Sequence, residues 1–120
     1  MVILVCGKSG AGKTTYAKKL AREMMLEGIN TIVLDSDEIR NTHNNQDYTD
    51  EGRRGHLKEM THIAKVSEGV GAVVIVAAMA PKREWRDMMR ATWKSSRLVY
   101  LPGGSLWPGT EYERPQNDEF

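Results

Sequence analysis

The eight residues Gly7-Lys8-Ser9-Gly10-Ala11-Gly12-Lys13-Thr14 fit the pattern G-x-x-x-x-G-K-S/T in full, with Thr15 directly after. A polyphosphate needs many converging donors. Glycines at 7, 10 and 12 let backbone N–H groups turn inward, and a helix starting behind them adds positive potential. Gly7, Ser9, Gly10, Ala11, Gly12, Lys13, Thr14 and Thr15 are therefore the expected cradle for ATP. Lys13 brings a movable charge to the β and γ phosphates, and the Thr14 hydroxyl is a ligand for Mg²⁺. The bland alternative is a glycine-rich turn. A second group, Asp35-Ser36-Asp37-Glu38-Ile39-Arg40, places two carboxylates two residues apart at the end of an apolar stretch. Asp35 can hold Mg²⁺ through water, while Asp37 can take the proton of a hydroxyl that attacks the γ phosphate. Arg40 can clamp an anionic group of the acceptor. The other reading makes Ser36 and Asp37 the N-cap of a short helix and Arg40 a surface ion-pair partner.

These residues need a frame. Positions 1–6 form a continuous apolar run, the pattern of a strand buried on both faces. Positions 13–27 carry Ala17, Leu20, Ala21 and Met24 at helical spacing, with Gly28 as a stop. A second strand at 31–34 runs into Asp35, and the polar stretch 41–50 reads as a loop. A helix over 51–68 buries Leu57, Met60, Ile63 and Ala64, and a third strand spans 72–78. Pro81 suits the first position of the next helix, whose apolar face is Trp85, Met88, Met89 and Trp93. A fourth strand at 97–101 precedes the tail. Strands alternating with helices predict an α/β fold of the P-loop NTPase type: a three-layer sandwich around a mainly parallel four-stranded sheet, with ligands at the carboxyl edge.

Composition narrows the function classes. At 120 residues, with 40% hydrophobic and 28% charged residues, the chain is one globular domain, 1–120. Its longest apolar stretch, 72–80, is far below the roughly 20 residues of a membrane span. A net charge of +1 removes any bulk-charge argument for nucleic acid or an anionic membrane. The single cysteine, Cys6, excludes an intramolecular disulfide framework, and the first residues lack the cationic region of a signal peptide, so a cytoplasmic setting is expected. Local charge is uneven: residues 82–97 hold six cationic groups against two acidic ones, and the chain from Leu98 onward is net acidic. That basic stretch suits a small anionic ligand better than a long polyanion; within it Arg83, Arg86 and Arg90 share one face at i, i+3 and i+7, where pairing with Glu or Asp is as good a reading as phosphate contact.

The motifs together resemble the adenylylsulfate (APS) kinases, which transfer the γ phosphate of MgATP to the 3′-hydroxyl of adenosine 5′-phosphosulfate. Residues 7–15 are similar to that family's phosphate loop, and 35–40 to its D-G-D-x-x-R block with Ser36 in place of glycine. Residues 48–65 resemble its F-S-x-x-D-R-x-x-N-I-R-R-x-x-x-x-A-K helix, with Tyr48 on the aromatic, Arg53 on the arginine and His56 on the asparagine. Residues 80–87 follow its S-P-Y-R-x-x-R-D, and Trp107-Pro108-Gly109 and Tyr112-Glu113-Arg114-Pro115 look like its F-T-G and Y-E-x-P. The resemblance implies a single P-loop kinase domain. It implies Lys13, Asp35, Asp37 and Arg83 as catalytic groups and Thr14 with Asp35 at the metal. It further implies an acceptor site built from Asp37, Arg40, Tyr48, Arg53, His56, Met79, Ala80 and Trp107. Tyr48 and Trp107 can stack on the two faces of an adenine while Arg40 and Arg53 hold the phosphosulfate; otherwise they are a loop aromatic, a core cover and a solvated helix end.

Two departures stand out. The family's arginine- and lysine-rich lid after the fourth strand is absent, because Leu101 passes directly to Pro102-Gly103-Gly104. Water exclusion and the cations that offset transition-state charge must then come from Arg83, Arg86 or Arg90, from a second copy of the chain in a homo-oligomer, or not at all. His56 and Met79-Ala80, in place of Asn and Ile-Ser, alter the acceptor pocket. Two other functions stay open: a kinase for a polynucleotide end or modified base, so that nucleic acid remains a candidate acceptor, and a noncatalytic ATP/ADP-binding module.

Overall fold

The structure is a computed structural model describing residues Met1–Phe120. In chain order the elements are β1 (Val2–Gly7), α1 (Lys13–Leu26), β2 (Thr31–Asp35), α2 (Ser36–Thr42), α3 (Asp50–Gly69), β3 (Val73–Ala77), α4 (Arg83–Thr92) and β4 (Ser96–Leu101), followed by one 3₁₀ turn, Asn117–Glu119. The sheet order is β2-β3-β1-β4, and every neighbouring pair is parallel.

Alternation within the buried strands sorts the core into two faces. Val2, Leu4 and Cys6 of β1 and Val74 and Val76 of β3 pack with Leu57, Met60 and Ala64 of α3 and with Trp85, Met89 and Trp93 from α4 and its cap. Val5, Ile75 and Ala77 point the other way and meet Ala17 and Ala21, whose small side chains let α1 lie close to the sheet. The three expected layers are therefore α1, the sheet, and α3 with α4. On α3 the inward stripe is His56, Leu57, Met60, Thr61 and Ala64, while Ile63 is 37% exposed, contrary to its expected place in the core. Ile63 lies a residue off that stripe. Thr61 can take the inward place because its hydroxyl donates to the Leu57 carbonyl at 2.6 Å and its own carbonyl accepts from Trp93 Nε1 at 3.0 Å.

Two boundaries differ from the sequence reading. The stretch expected to be loop from position 41 is helical to Thr42, which leaves 43–49 as the connection. Pro81 is not the first residue of α4. The helix starts at Arg83 with Lys82 as N-cap, because Ala80 turns into the left-handed region (φ 42°) and the Pro81 carbonyl accepts from the Glu113 amide at 2.7 Å.

After β4 the tail returns across the molecule. The Ser105 amide donates to the Ser9 carbonyl at 2.8 Å, an antiparallel bridge onto the phosphate loop. The approach requires glycine at 104: a Cβ there would sit 2.4 Å from the Ser9 carbonyl oxygen, at a φ of 73°. The tail then ends on α4. Arg83 Nη2 meets Asp118 at 2.7 Å, Arg86 donates through Nε and Nη2 to both Glu119 oxygens at 2.8 and 3.1 Å, and Arg90 reaches Glu119 at 3.0 Å. Of the two readings of the α4 arginines, anion contact and pairing with Glu or Asp, the structure shows the second: the acidic tail of the same chain neutralises them.

Burial raises the pKa of the Glu119 carboxyl, but hydrogen bonds from Arg86, the Gln116 amide and Arg90 outweigh it and hold the pKa down at about 2, below the ordinary 4.5. With the folded-state pKa depressed, the stabilisation is complete above about pH 4.5 and is lost as pH falls toward 2. Thermal melts across that window should show a falling Tm. Glu119→Gln should cost about 3–5 kcal/mol at neutral pH, since it leaves Arg86 buried without its counter-charge, and should flatten the acid slope.

Candidate active site

The chain leaves β1 toward β2 on one side of the sheet and leaves β3 toward β4 on the other. The crevice between β1 and β3 at their carboxyl ends is where such a reversal leaves room for a ligand. A cavity of about 420 Å³ opens there. Its floor is the phosphate loop. Gly7 brings β1 against β4 so closely that a Cβ would stand 2.7 Å from the Leu101 carbonyl oxygen, and the loop then turns into the first residue of α1, Lys13. The Lys13 ammonium lies across the loop, donating to the Lys8 carbonyl at 2.8 Å. Burial lowers its pKa against the pull of Asp37 and Asp35. An ammonium with donors to spare, partly desolvated at a helix start, is suited to a phosphate oxygen.

Asp35 joins this floor to the next element. One carboxylate oxygen caps α2, accepting from the Asp37 and Glu38 amides at 2.9 and 3.3 Å, and the other accepts from the Thr14 hydroxyl. The cap is thus Asp35 itself and not Ser36 or Asp37, and the capping and metal readings fall on one residue. Because the Thr14 proton is directed to Asp35, the lone pairs of its oxygen remain for a cation. One or two protein oxygens completed by phosphate and water is the donor set that Mg²⁺ favours, so Thr14 and Asp35 fit that ion.

Ser36 and Asp37 face the cavity. Ser36 Oγ lies 2.7 Å from His56 Nε2. Burial, reinforced by the charges of Arg40 and His43, lowers the His56 pKa to about 4, so the ring is neutral at physiological pH. Thr49 caps α3 through the Gly52 amide at 3.1 Å, which starts the helix in the phase that turns Arg53, His56 and Leu57 to the cavity.

At the far end Arg40, only 6% exposed, donates to Asn45 Oδ1 and the Asp47 carbonyl at 3.3 and 3.2 Å and lies 4.4 Å from the Tyr48 ring centre. Arg53 lies 6.0 Å from the same ring. Tyr48 and Trp107 do not form the parallel pair expected to sandwich an adenine. Their ring centres are 5.3 Å apart at 64°, edge to face, the arrangement that aromatic quadrupoles favour, and the Arg40 guanidinium lies over Tyr48.

Most expected site residues share this one cavity: Ser9, Gly10, Gly12, Lys13, Thr14 and Thr15 on the floor, Asp35 and Asp37 beside them, and Arg40, Tyr48, Arg53, His56, Met79, Ala80 and Trp107 around the far end. Gly7 and Ala11 support the loop without lining it. Arg83 stands apart: it lies outside the cavity and pairs with Asp118 and Asp87, because the acidic tail reaches it first. The sequence reading missed Ser36, Leu57, Ala77, Pro81, Ser105, Leu106 and Thr110. Neighbourhood to His56 and Trp107 was the available signal for Leu57, Leu106 and Thr110, whereas Ser105 arrives only through the tail's return to Ser9.

The family model described as adenylylsulphate kinase matches residues 1–102. An adenylyl-sulfate kinase of Bacillus velezensis is 37% identical over 90 residues, 74% of this chain and 46% of that protein. One from Shewanella baltica is 36% identical over 94 residues, 78% of this chain and 46% of its own. The chain thus spans about half the length of the curated relatives it matches. Among solved structures, a mutant of the Mycobacterium tuberculosis APS kinase CysC superposes with a TM-score of 0.82 at 26% identity, covering 97% of this chain and 80% of that one. The same enzyme in complex with AMPPNP and APS gives 0.79 at 25% identity, over 84% of this chain and 61% of the other.

The lowered His56 pKa sets a pH dependence. The unfolded chain takes up the proton near pH 6.5 while the folded one resists it to about 4, so this group's stabilisation is complete above pH 6.5 and is lost as pH falls toward 4. His56→Asn, which keeps a partner for Ser36, should remove that part of the slope in Tm against pH.

Proposed function

Because the chain belongs to the adenylylsulphate kinase family, we propose that it is a phosphotransferase moving the γ phosphate of MgATP to a hydroxyl of adenosine 5′-phosphosulfate or a similar nucleotide-like anion. The observation that carries this reading is the convergence of the phosphate loop, the Thr14–Asp35 contact, the Asp37 carboxylate and the Arg40 and Arg53 guanidiniums on one cavity. A cytoplasmic setting belongs to the same proposal; no helix is long and apolar enough to cross a membrane.

In this reading the loop amides and Lys13 hold the β and γ phosphates and draw charge toward the bridging oxygen. The Thr14 hydroxyl and Asp35 would hold Mg²⁺, which would supply positive charge against the phosphate oxygens. Arg40 and Arg53 grip the anionic end of the acceptor and orient its hydroxyl. That oxygen forms a bond to the γ phosphorus as the bond to the β–γ bridging oxygen breaks. The hydroxyl proton passes to Asp37, and ADP leaves. The α4 arginines are committed to the tail, so no cation from that helix covers the transferring group. A neighbouring copy of the chain is one source; the other reading is a site that works without such a cation.

MgATP should stabilise the protein by about 2.7 kcal/mol at a hundredfold excess over Kd, and Lys13→Ala should abolish the shift. With ³²P-labelled ATP, Asp37→Asn should lower transfer to adenosine 5′-phosphosulfate by roughly 10²–10⁴-fold while ATP binding is retained. Labelling of 5′-hydroxyl oligonucleotides in place of that acceptor would reassign the substrate, and MgATP binding without any acceptor labelled would leave a binding module.

If a second copy completes the site, specific activity should rise with protein concentration, in step with assembly measured by light scattering. Constant specific activity from a monomer, with ATP hydrolysed in the absence of acceptor, would mark a slow open enzyme.

A further inference from the structure

Past the end of β3 the chain turns through Met79, Ala80 and Pro81, which form one wall of the cavity. Ala80 is 1% exposed and holds a φ of 42°, a left-handed conformation that a residue with a Cβ adopts only when its surroundings impose it. The three successive carbonyls of this turn are each fastened. Met79 accepts from the Tyr112 hydroxyl at 2.7 Å, Ala80 from Arg86 Nη1 at 2.8 Å, and Pro81 from the Glu113 amide at 2.7 Å. Arg86 is in turn held through its other two nitrogens by Glu119. Every fastening traces to residues 112–119 of the tail, directly or through Arg86, and none of these donors lines the cavity. Burial drives the Tyr112 phenol pKa far above its ordinary value, so the hydroxyl stays a donor across the working pH range.

We propose that Tyr112 and Glu119 are positioning residues of the acceptor wall: Tyr112 directly, and Glu119 through Arg86, hold the Met79–Ala80–Pro81 turn in its left-handed form and thereby set the shape of the acceptor end of the site. The tail acts from behind the wall. An unfastened Ala80 relaxes toward negative φ, which swings the Met79 and Ala80 peptide planes and changes the surface offered to an acceptor, whereas the phosphate loop keeps its own support from β1 and α1. The proposal rests on the acceptor assignment made above, and its test therefore includes a readout that needs no acceptor.

The full-length chain and its Tyr112→Phe and Glu119→Gln variants serve for both arms. Without ligand, the ¹³C backbone shifts of Ala80 in NMR distinguish left-handed from extended φ: the wild-type chain should show the left-handed values, and both variants should move toward the extended ones. In steady-state assays Tyr112→Phe, which keeps the ring and loses one neutral hydrogen bond, should raise KM for adenosine 5′-phosphosulfate about fivefold while kcat and KM for ATP stay within about twofold. In the Ala80→Gly background the same substitution should have a smaller effect on acceptor KM, because glycine holds the left-handed φ without the fastening. Unchanged Ala80 shifts in Tyr112→Phe would overturn the proposal, as would equal changes in the two KM values. If the wild-type chain phosphorylates no nucleotide-like acceptor, the assignment of the site fails, and the Ala80 shifts alone decide whether the tail holds the turn.

Discussion

The carboxylate of Asp35 is the point on which the site depends. It is 4% exposed at the end of β2, and it accepts from the Thr14 hydroxyl at the start of α1 and from two amides at the start of α2. A buried carboxylate without partners is costly, so the phosphate loop, the second strand and the short helix that presents Asp37 and Arg40 are brought to one place by the need to satisfy it. The same contact directs the Thr14 proton away from the loop and leaves its oxygen lone pairs for a cation. In the proposed reading the cap of α2 and the metal-site carboxylate are therefore one group.

The tail solves a different electrostatic problem. Three arginines on one face of α4, one of them fully buried, would repel one another and resist desolvation without counter-charges. Asp118 and Glu119 supply those charges from the end of the chain. Glycine at 104 lets the tail pass directly over the phosphate loop, and the path between the two places Ser105, Leu106, Trp107 and Thr110 along the cavity. A segment that carries no phosphate-binding motif thus finishes the cavity wall as a consequence of where its ends are pinned.

The far end of the cavity combines buried charge with neutral polar groups. Arg40 and Arg53 lie near one tyrosine ring, while the neighbouring His56 is kept uncharged by burial and by the charges of Arg40 and His43. Positive potential at this end therefore comes from the two guanidiniums and not from the imidazole.

Sequence by itself determined the layers, the parallel sheet and the glycine-rich loop that floors the cavity. Those features rest on local signals: apolar runs for buried strands, helical spacing over 13–27, and a contiguous loop in which each residue's role follows from its neighbours. The pairing of Asp35 with a phosphate loop was likewise legible, because both motifs follow strands and parallel topology brings strand ends to one edge. What only the tertiary structure decided depends on contacts between distant segments: that Asp35 and not Ser36 caps α2, that Ile63 faces outward, and that Tyr48 and Trp107 meet edge to face. The arginines of α4 are the clearest case. In the sequence they are a basic face at helical spacing that suits either a ligand or acidic partners, and about thirty residues separate Arg86 from the carboxylate that neutralises it. Charge has no direction along a sequence; it acquires a partner only when the chain folds back, and here the path over Gly104 brings Glu119 to that face.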